Sequence, residues 1–150
     1  METEMASKIK ITFATRTKDP WVLNELEKLK DKFADVVRYD GYTHENMEEI
    51  LKDQDLGIIP VLWEDNLPQV AIEIAANGVP ILASDLGGAH ELSKSTKFIF
   101  RNGDISDFIQ KLKAIQENVN ILSEYWEYYK GLPTMADHVE EIEGYYFDNK

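Results

Sequence analysis

The sequence predicts an α/β fold: a doubly wound, parallel, five-stranded sheet with helices on both faces. Three observations carry this. Five short apolar or β-branched runs alternate with segments of helical period between residues 9 and 117. The loops between them are short, so each strand-helix-strand step is a right-handed crossover and the sheet is parallel. The third run, residues 56–61 (LGIIPV), is apolar on both faces, which marks a central strand covered on each side.

Strand one is residues 9–14 (IKITFA), followed by the polar loop 15–19 (TRTKD). From Pro20 the period changes: Leu23, Leu26, Leu29 and Phe33 recur at helical spacing. Val36, Val37 and Tyr39 form strand two, closed by Asp40-Gly41. Thr43 is placed to cap a helix carrying Met47, Ile50 and Leu51. After strand three and the acidic turn 63–66 (WEDN), a helix begins near Leu67-Pro68. Its Leu67, Val70, Ala71, Ile74 and Ala75 fall at i, i+3, i+4, i+7 and i+8, a full core-facing stripe, and Gly78 ends it. Strand four is residues 80–84. Asp85-Leu86-Gly87-Gly88 and a brief helix from Ala89 come next. Strand five, residues 98–100, leads to Asp104, an N-cap for a helix with Ile105, Phe108, Ile109, Leu112 and Ile115 on one face.

The simplest strand order is 2-1-3-4-5, a Rossmann-like arrangement. Ligands of such sheets bind beyond the carboxyl ends of the strands at the switch point, here between strands one and three. The loops that meet there are 15–19 and 63–66. Beyond residue 117 come Tyr125, Trp126, Tyr128 and Tyr129, a break at Gly131-Leu132-Pro133, and a last helix capped by Thr134. That helix carries Met135, Val139, Ile142 and Tyr146 on one stripe. We expect residues 1–7 to be an unstructured leader, 8–117 one Rossmann-like domain, and 118–150 extra C-terminal helices packed on it.

Composition narrows the function classes. A chain of 150 residues is about one domain. Its formal net charge of −12 argues against a nucleic-acid partner or an anionic membrane surface, both of which need a basic footprint. It carries no cysteine, and no apolar run nears the roughly 20 residues that span a bilayer. We therefore expect a cytoplasmic protein. His44, His90 and His138 stand in separate elements without ligand spacing, so no metal site is expected. No nucleophile elbow, Walker loop or G-x-G-x-x-G follows a strand, which leaves nucleophilic and nucleotide hydrolysis unsupported.

The unit from strand three to its helix is different. Glu64 and Asp65 stand just beyond a buried strand, and Glu73 lies on the helix face opposite the apolar stripe. Between Asp65 and Glu73 a helix rises by roughly 12 Å, at about 1.5 Å per residue. Two readings stand. The carboxylates could accept hydrogen bonds from hydroxyls at the two ends of a ligand whose anionic middle faces the helix N-terminus, the layout of a nucleoside diphosphate sugar. Alternatively, they are acids well placed near a helix start and on a solvated face.

Residues 55–91, DLGIIPVLWEDNLPQVAIEIAANGVPILASDLGGAHE, resemble the donor-binding domain of family 4 glycosyltransferases, which have the GT-B architecture. The family pattern is a strand, an acidic turn, a helix bearing a second acid, Gly-x-Pro, a strand and Gly-Gly-x-x-Glu. The later NGDISDFIQKLKAI resembles the family's closing strand-loop-helix, and the likeness runs from about residue 9 to the C-terminus.

This resemblance implies a C-terminal nucleotide-sugar-binding domain that takes a UDP- or GDP-sugar for transfer, with retention, to a glycan or other acceptor in polysaccharide biosynthesis. It implies neither a metal nor another cofactor. Glu73 would bind the ribose hydroxyls, and Asp65, with Glu64 beside it, would contact the transferred sugar as the catalytic acid of the pair. Asn66 and Leu67 would offer backbone N–H groups, Gly41 and Tyr42 would border the base, and Gly87-Gly88 would let the next loop pass close by.

Three departures stand out. Asp65 occupies a position usually held by Glu, and Val61 follows Pro60 in place of Ser. The family's phosphate-holding Arg and Lys, on an earlier strand and helix, have no counterpart. Arg16 and Lys18 either substitute for them or are ordinary loop bases. The resemblance also implies an acceptor-binding N-terminal domain or partner chain, without which the domain is expected to be inactive. The protein could then sit at the inner face of the cell membrane, and its last helices could self-associate weakly. The alternative is a non-catalytic Rossmann-like binding or scaffold module.

Overall fold

The computed structural model describes residues 3–92, 95–129, 131 and 134–147 and shows a mixed α/β architecture with parallel sheets. Strand β1 (Lys10–Ala14) is followed by helix α2 (Pro20–Leu29), β2 (Asp35–Tyr39), α3 (His44–Leu51) and β3 (Gly57–Ile59). Helix α4 (Gln69–Ala76), β4 (Ile81–Ser84), β5 (Ile99–Phe100), α5 (Ile105–Glu117), α6 (Ile121–Tyr128) and α7 (Met135–Phe147) complete the order. The expected caps are present. Asn46 Oδ1 accepts from Thr43 N at 2.7 Å, Asp104 Oδ1 accepts from Asp107 N at 2.9 Å, and Thr134 Oγ1 accepts from Asp137 N at 3.2 Å.

Every strand pairing is parallel, but the described residues form two sheets, β1-β2 and β3-β4-β5, and not the single five-stranded sheet expected. The local order agrees with 2-1 and 3-4-5; the bond between β1 and β3 is what fails. Gly57 N donates to Pro80 O, so the backbone groups of Ile58 point to the edge away from β4. Pro60, just past the strand, would face the same edge and has no N–H to donate there.

The core lies between β3, β4 and the helices around them. Ile59, Ile81 and Ala83 meet Ala71, Ile74 and Ala75 of α4 and Met47 and Leu51 of α3, together with Phe98, Ile115 and Tyr125. The apolar run of β3 is not covered on both faces as expected. Ile58 stays 42% exposed, and α2 contributes no buried residue. Ile105, expected on the buried stripe of α5, is exposed at the first helical position.

Two terminal segments also differ from expectation. Within the presumed leader, Thr3–Ala6 forms one helical turn (α1), with Met5 and Ala6 buried; Met1 and Glu2 lie outside the described residues. Met5 O accepts from Gln116 Nε2 at 3.2 Å, so this turn docks on α5. At the other end, α6 packs as expected, with Tyr125 1% exposed and edge-on to Phe98 at 5.1 Å between ring centroids. By contrast, α7 buries none of its stripe: Met135, Val139, Ile142 and Tyr146 are all exposed. Trp126 and Tyr128 on α6, which could have received them, remain exposed too. Leu132 and Pro133 of the expected break lie outside the described residues. Among the described residues no helix is long and apolar enough to cross a membrane.

Candidate functional site

Two clefts flank the start of α4. The first, about 590 Å3, is lined by Ala14, Thr15 and Arg16 after β1, residues 41–44 after β2, and Gln69 and Glu73 of α4. The second, about 820 Å3, is lined by the acidic turn (Glu64, Asp65, Asn66, Leu67) and by Asp85, Leu86, Gly87, Gly88 and Glu91. Both open at the carboxyl ends of strands, where the loops of a parallel sheet gather.

In the first cleft the loops after β1 and β2 lock together. Arg16 Nη2 donates to Tyr42 O at 3.4 Å, and the Arg16 side chain lies directly over Gly41. A Cβ at Gly41 would come within 2.5 Å of Arg16 Cγ and Nε, so only glycine allows Arg16 to lie there. Opposite stands Glu73, whose side chain is only 12% exposed although the sequence puts it on the outer face of α4. The loop after β2 accounts for the shielding: His44 Nδ1 lies 3.2 Å from Glu73 Oε1, and Gln69 Nε2 donates to the same oxygen at 2.9 Å. Glu73 Oε2 is buried without a partner.

The second cleft is built on the contact between the acidic turn and the Gly-Gly loop. Gly88 N donates to Asp65 O at 3.1 Å. A Cβ at Gly87, where φ is +74°, would lie 3.0 Å from Asp65 O, and one at Gly88 would lie 2.8 Å from Leu67 N. The loop thus passes against the turn at a distance only glycine permits. Below it, Val61 O accepts from Ser84 Oγ at 2.9 Å and Asn102 Nδ2 at 2.6 Å, while Asp85 Oδ1 accepts from Asn102 N at 2.7 Å. These bonds tie the ends of β3, β4 and β5 into a rigid floor. Among the described residues the cleft is lined by four carboxylates, Glu64, Asp65, Asp85 and Glu91, and by no lysine or arginine.

Between the clefts, α4 begins without a side-chain cap. Pro68 O accepts from Ala71 N and Ile72 N, which leaves the N–H groups of Gln69 and Val70 without an intrahelical acceptor.

The site residues named from sequence divide accordingly. Arg16, Gly41, Tyr42 and Glu73 share the first cleft; Glu64, Asp65, Asn66, Leu67, Gly87 and Gly88 share the second. Lys18 lines neither. Sequence reasoning missed Thr15, His44, Gln69, Asp85 and Glu91. Gln69 was findable, one helical turn before Glu73 on the same face. His44 was not, since nothing local links it to a residue 29 positions later. Among the described residues no group of three or more potential ligands could hold a metal ion.

No curated protein matches the chain. Compared with known families, residues 3–118 match Glycosyl transferases group 1, a span that takes in both clefts and every strand. With well over half of its residues matched, the chain belongs to the group 1 glycosyl transferases, a family of glycosyl-transfer domains.

Proposed function

We propose that this domain binds the nucleotide-sugar donor, a UDP- or GDP-sugar, of a retaining glycosyltransferase that delivers the sugar to a glycan or another acceptor. The observation that carries the reading is Glu73: a shielded carboxylate with one unpartnered oxygen, facing a cleft it shares with Arg16, Gly41 and Tyr42. In this reading Glu73 accepts from the ribose hydroxyls, and Gly41 and Tyr42 border the base. The unpaired N–H groups at the start of α4 face the diphosphate. Asp65, with Glu64 beside it, contacts the transferred sugar and aligns its anomeric carbon. The protein is cytoplasmic, or held at the inner face of the cell membrane by a partner.

Charge sets the strength of binding. Among the described residues the only arginine or lysine lining either cleft is Arg16, and the charged side chains lining the second are all acidic. A diphosphate bound across them meets more repulsion than attraction. The bases that hold it come from an N-terminal acceptor domain or a partner chain, and this polypeptide alone transfers no sugar. The exposed stripe of α7 is a second face for such a partner, or for weak self-association.

The acidity of the second cleft also favours a second reading, a non-catalytic Rossmann-like binding or scaffold module. Titration calorimetry against UDP, GDP and their sugars separates the two. We expect weak binding that Glu73→Ala abolishes. Submicromolar binding by the chain alone would refute the claim of weakness, and binding indifferent to Glu73→Ala would favour the scaffold reading.

A further inference from the structure

Hydrogen-bonded strands lie about 4.8 Å apart. β1 and β3 share no ladder and do not approach each other as the paired strands do. The bonds on their far sides identify the edges left open. Ile9 O accepts from Ala34 N and Thr15 N donates to Tyr39 O, so the odd-numbered residues of β1 point their backbone groups at β2. Thr12 and Ala14 therefore point theirs to the opposite edge, and Ile58 of β3 points its own away from β4. None of these backbone groups finds a hydrogen-bond partner among the described residues.

Packing agrees with the bonding. No residue of β1, α2 or β2 is buried, whereas every residue of β4 is. Ile58 is 42% exposed although its strand belongs to the core. Parallel sheets are normally covered on both faces. A strand-helix-strand unit without one buried side chain is short of a neighbour, and the inner side it leaves open is the one toward β3.

We propose that these two edges form a slot for one extended segment of a partner polypeptide, which runs parallel to both strands and joins the two sheets by strand addition. Thr12 and Ala14 bond one side of the segment and Ile58 the other. Along its length the segment is uncharged and β-branched, as an inner strand requires. Its carboxyl end emerges between the loop after β1 and the turn after β3, beside Glu64, Asp65 and Glu73. Among the described residues Arg16 is the single base lining either cleft, so that end carries lysine or arginine. A second copy of this chain is a poor occupant, because each copy brings a formal net charge of −12. The inference does not depend on a bound donor.

The test is amide hydrogen exchange of the full chain by NMR, alone and with a synthetic peptide. The peptide is about eight residues long, rich in valine, isoleucine and threonine, and ends in arginines. In the free chain the Thr12 and Ile58 amides should exchange about tenfold or more faster than Phe13 and Ile59, which bond inside the two sheets. Millimolar peptide should remove that difference. Methylating alternate amide nitrogens of the peptide should abolish the protection, and a peptide ending in glutamates should bind about tenfold more weakly, since it sets like charges together.

Slow exchange at Thr12 and Ile58 in the dilute free chain would overturn the proposal, because β1 and β3 would then already be closed. Protection that grows with protein concentration alone would overturn it in favour of a second copy as occupant. Exchange unmoved by the peptide counts equally against it, as does equal protection along the outer edge of β5, which marks unselective strand addition.

Discussion

Gly88→Ala should disturb the acidic turn from a distance. The new Cβ would stand 2.8 Å from Leu67 N, 2.9 Å from Leu67 Cα and 3.2 Å from Asn66 C, all backbone atoms. Carbon contacts are comfortable at about 3.5–4.0 Å, so the turn must retreat by roughly 0.7 Å. The bond from Gly88 N to Asp65 O would stretch as it does so. Overpacking of this kind costs about 1–3 kcal/mol. Taking ~2 kcal/mol and ~2–4 °C per kcal/mol for a chain of this size, Tm should fall by about 4–8 °C.

Gly103→Ala is the control. At Gly103 φ is +70° and nothing lies within 4 Å, so its cost is backbone strain alone, about 1–2 kcal/mol. Melting curves will fall for both variants. Amide NMR separates them, since the Asp65, Asn66 and Leu67 signals should move only for Gly88→Ala. A Gly88→Ala protein with a wild-type Tm and unmoved signals there would refute the steric account of the Gly-Gly loop.

Tyr125 should tolerate loss of its hydroxyl but not of its ring. Its Oη is buried and unpaired, so Tyr125→Phe should be neutral or stabilising in chemical denaturation, whereas Tyr125→Ala should cost about 3–5 kcal/mol. Burial, with Tyr129 adding to it, pushes the Tyr125 phenol far above its usual range. The folded state thus holds that proton more tightly than the unfolded one. Stability should fall as pH rises past the ordinary tyrosine value of about 10, and Tyr125→Phe should delay the fall. Asp104→Ala removes the N-cap of α5 and should cost about 1 kcal/mol in the same assay. The backbone N–H of Thr134, and then its hydroxyl, hold the Asp137 carboxyl below the usual range. Its contribution is therefore present at neutral pH and lost on acidification, and the amides of Met135–His138 should show α7 fraying there while α5 persists.

What was legible in the sequence was whatever depends on near neighbours. The stripe of α4 from Val70 onward (Leu67 lies before the helix and is exposed), the caps at Thr43, Asp104 and Thr134, and the parallel pairings all follow from residues a few positions apart. What was not legible depends on which surface meets which. The run 56–61 has two apolar faces, but its pattern does not reveal that Ile58 stays exposed or that α2 stays outside the core. The stripe of α7 reads as core by period, yet among the described residues it stays exposed. The seven-residue gap between Asp65 and Glu73 places both acids beside α4 without showing that they face different clefts. Nor does it show that His44 closes one of them.

That separation bears on how a donor could bind. A ligand touching Glu73 at one end and Asp65 at the other must pass over residues 67–69, where α4 begins and Pro68 offers no N–H of its own. The attraction available at that crossing is the two unpaired amides of Gln69 and Val70, and a helix start supplies only about half a positive charge. On one side Arg16 is partly engaged by Tyr42 O; on the other stand Glu64, Asp65, Asp85 and Glu91. On the proposed reading, the neutral ends of a nucleotide sugar, its ribose and its hexose, would find acceptors already in place, while its charged middle would not. A domain built that way would select a donor by its hydroxyls, and holding one firmly would take cations brought across the cleft from another surface. Donor affinity and catalytic competence would then arrive together, when that surface docks.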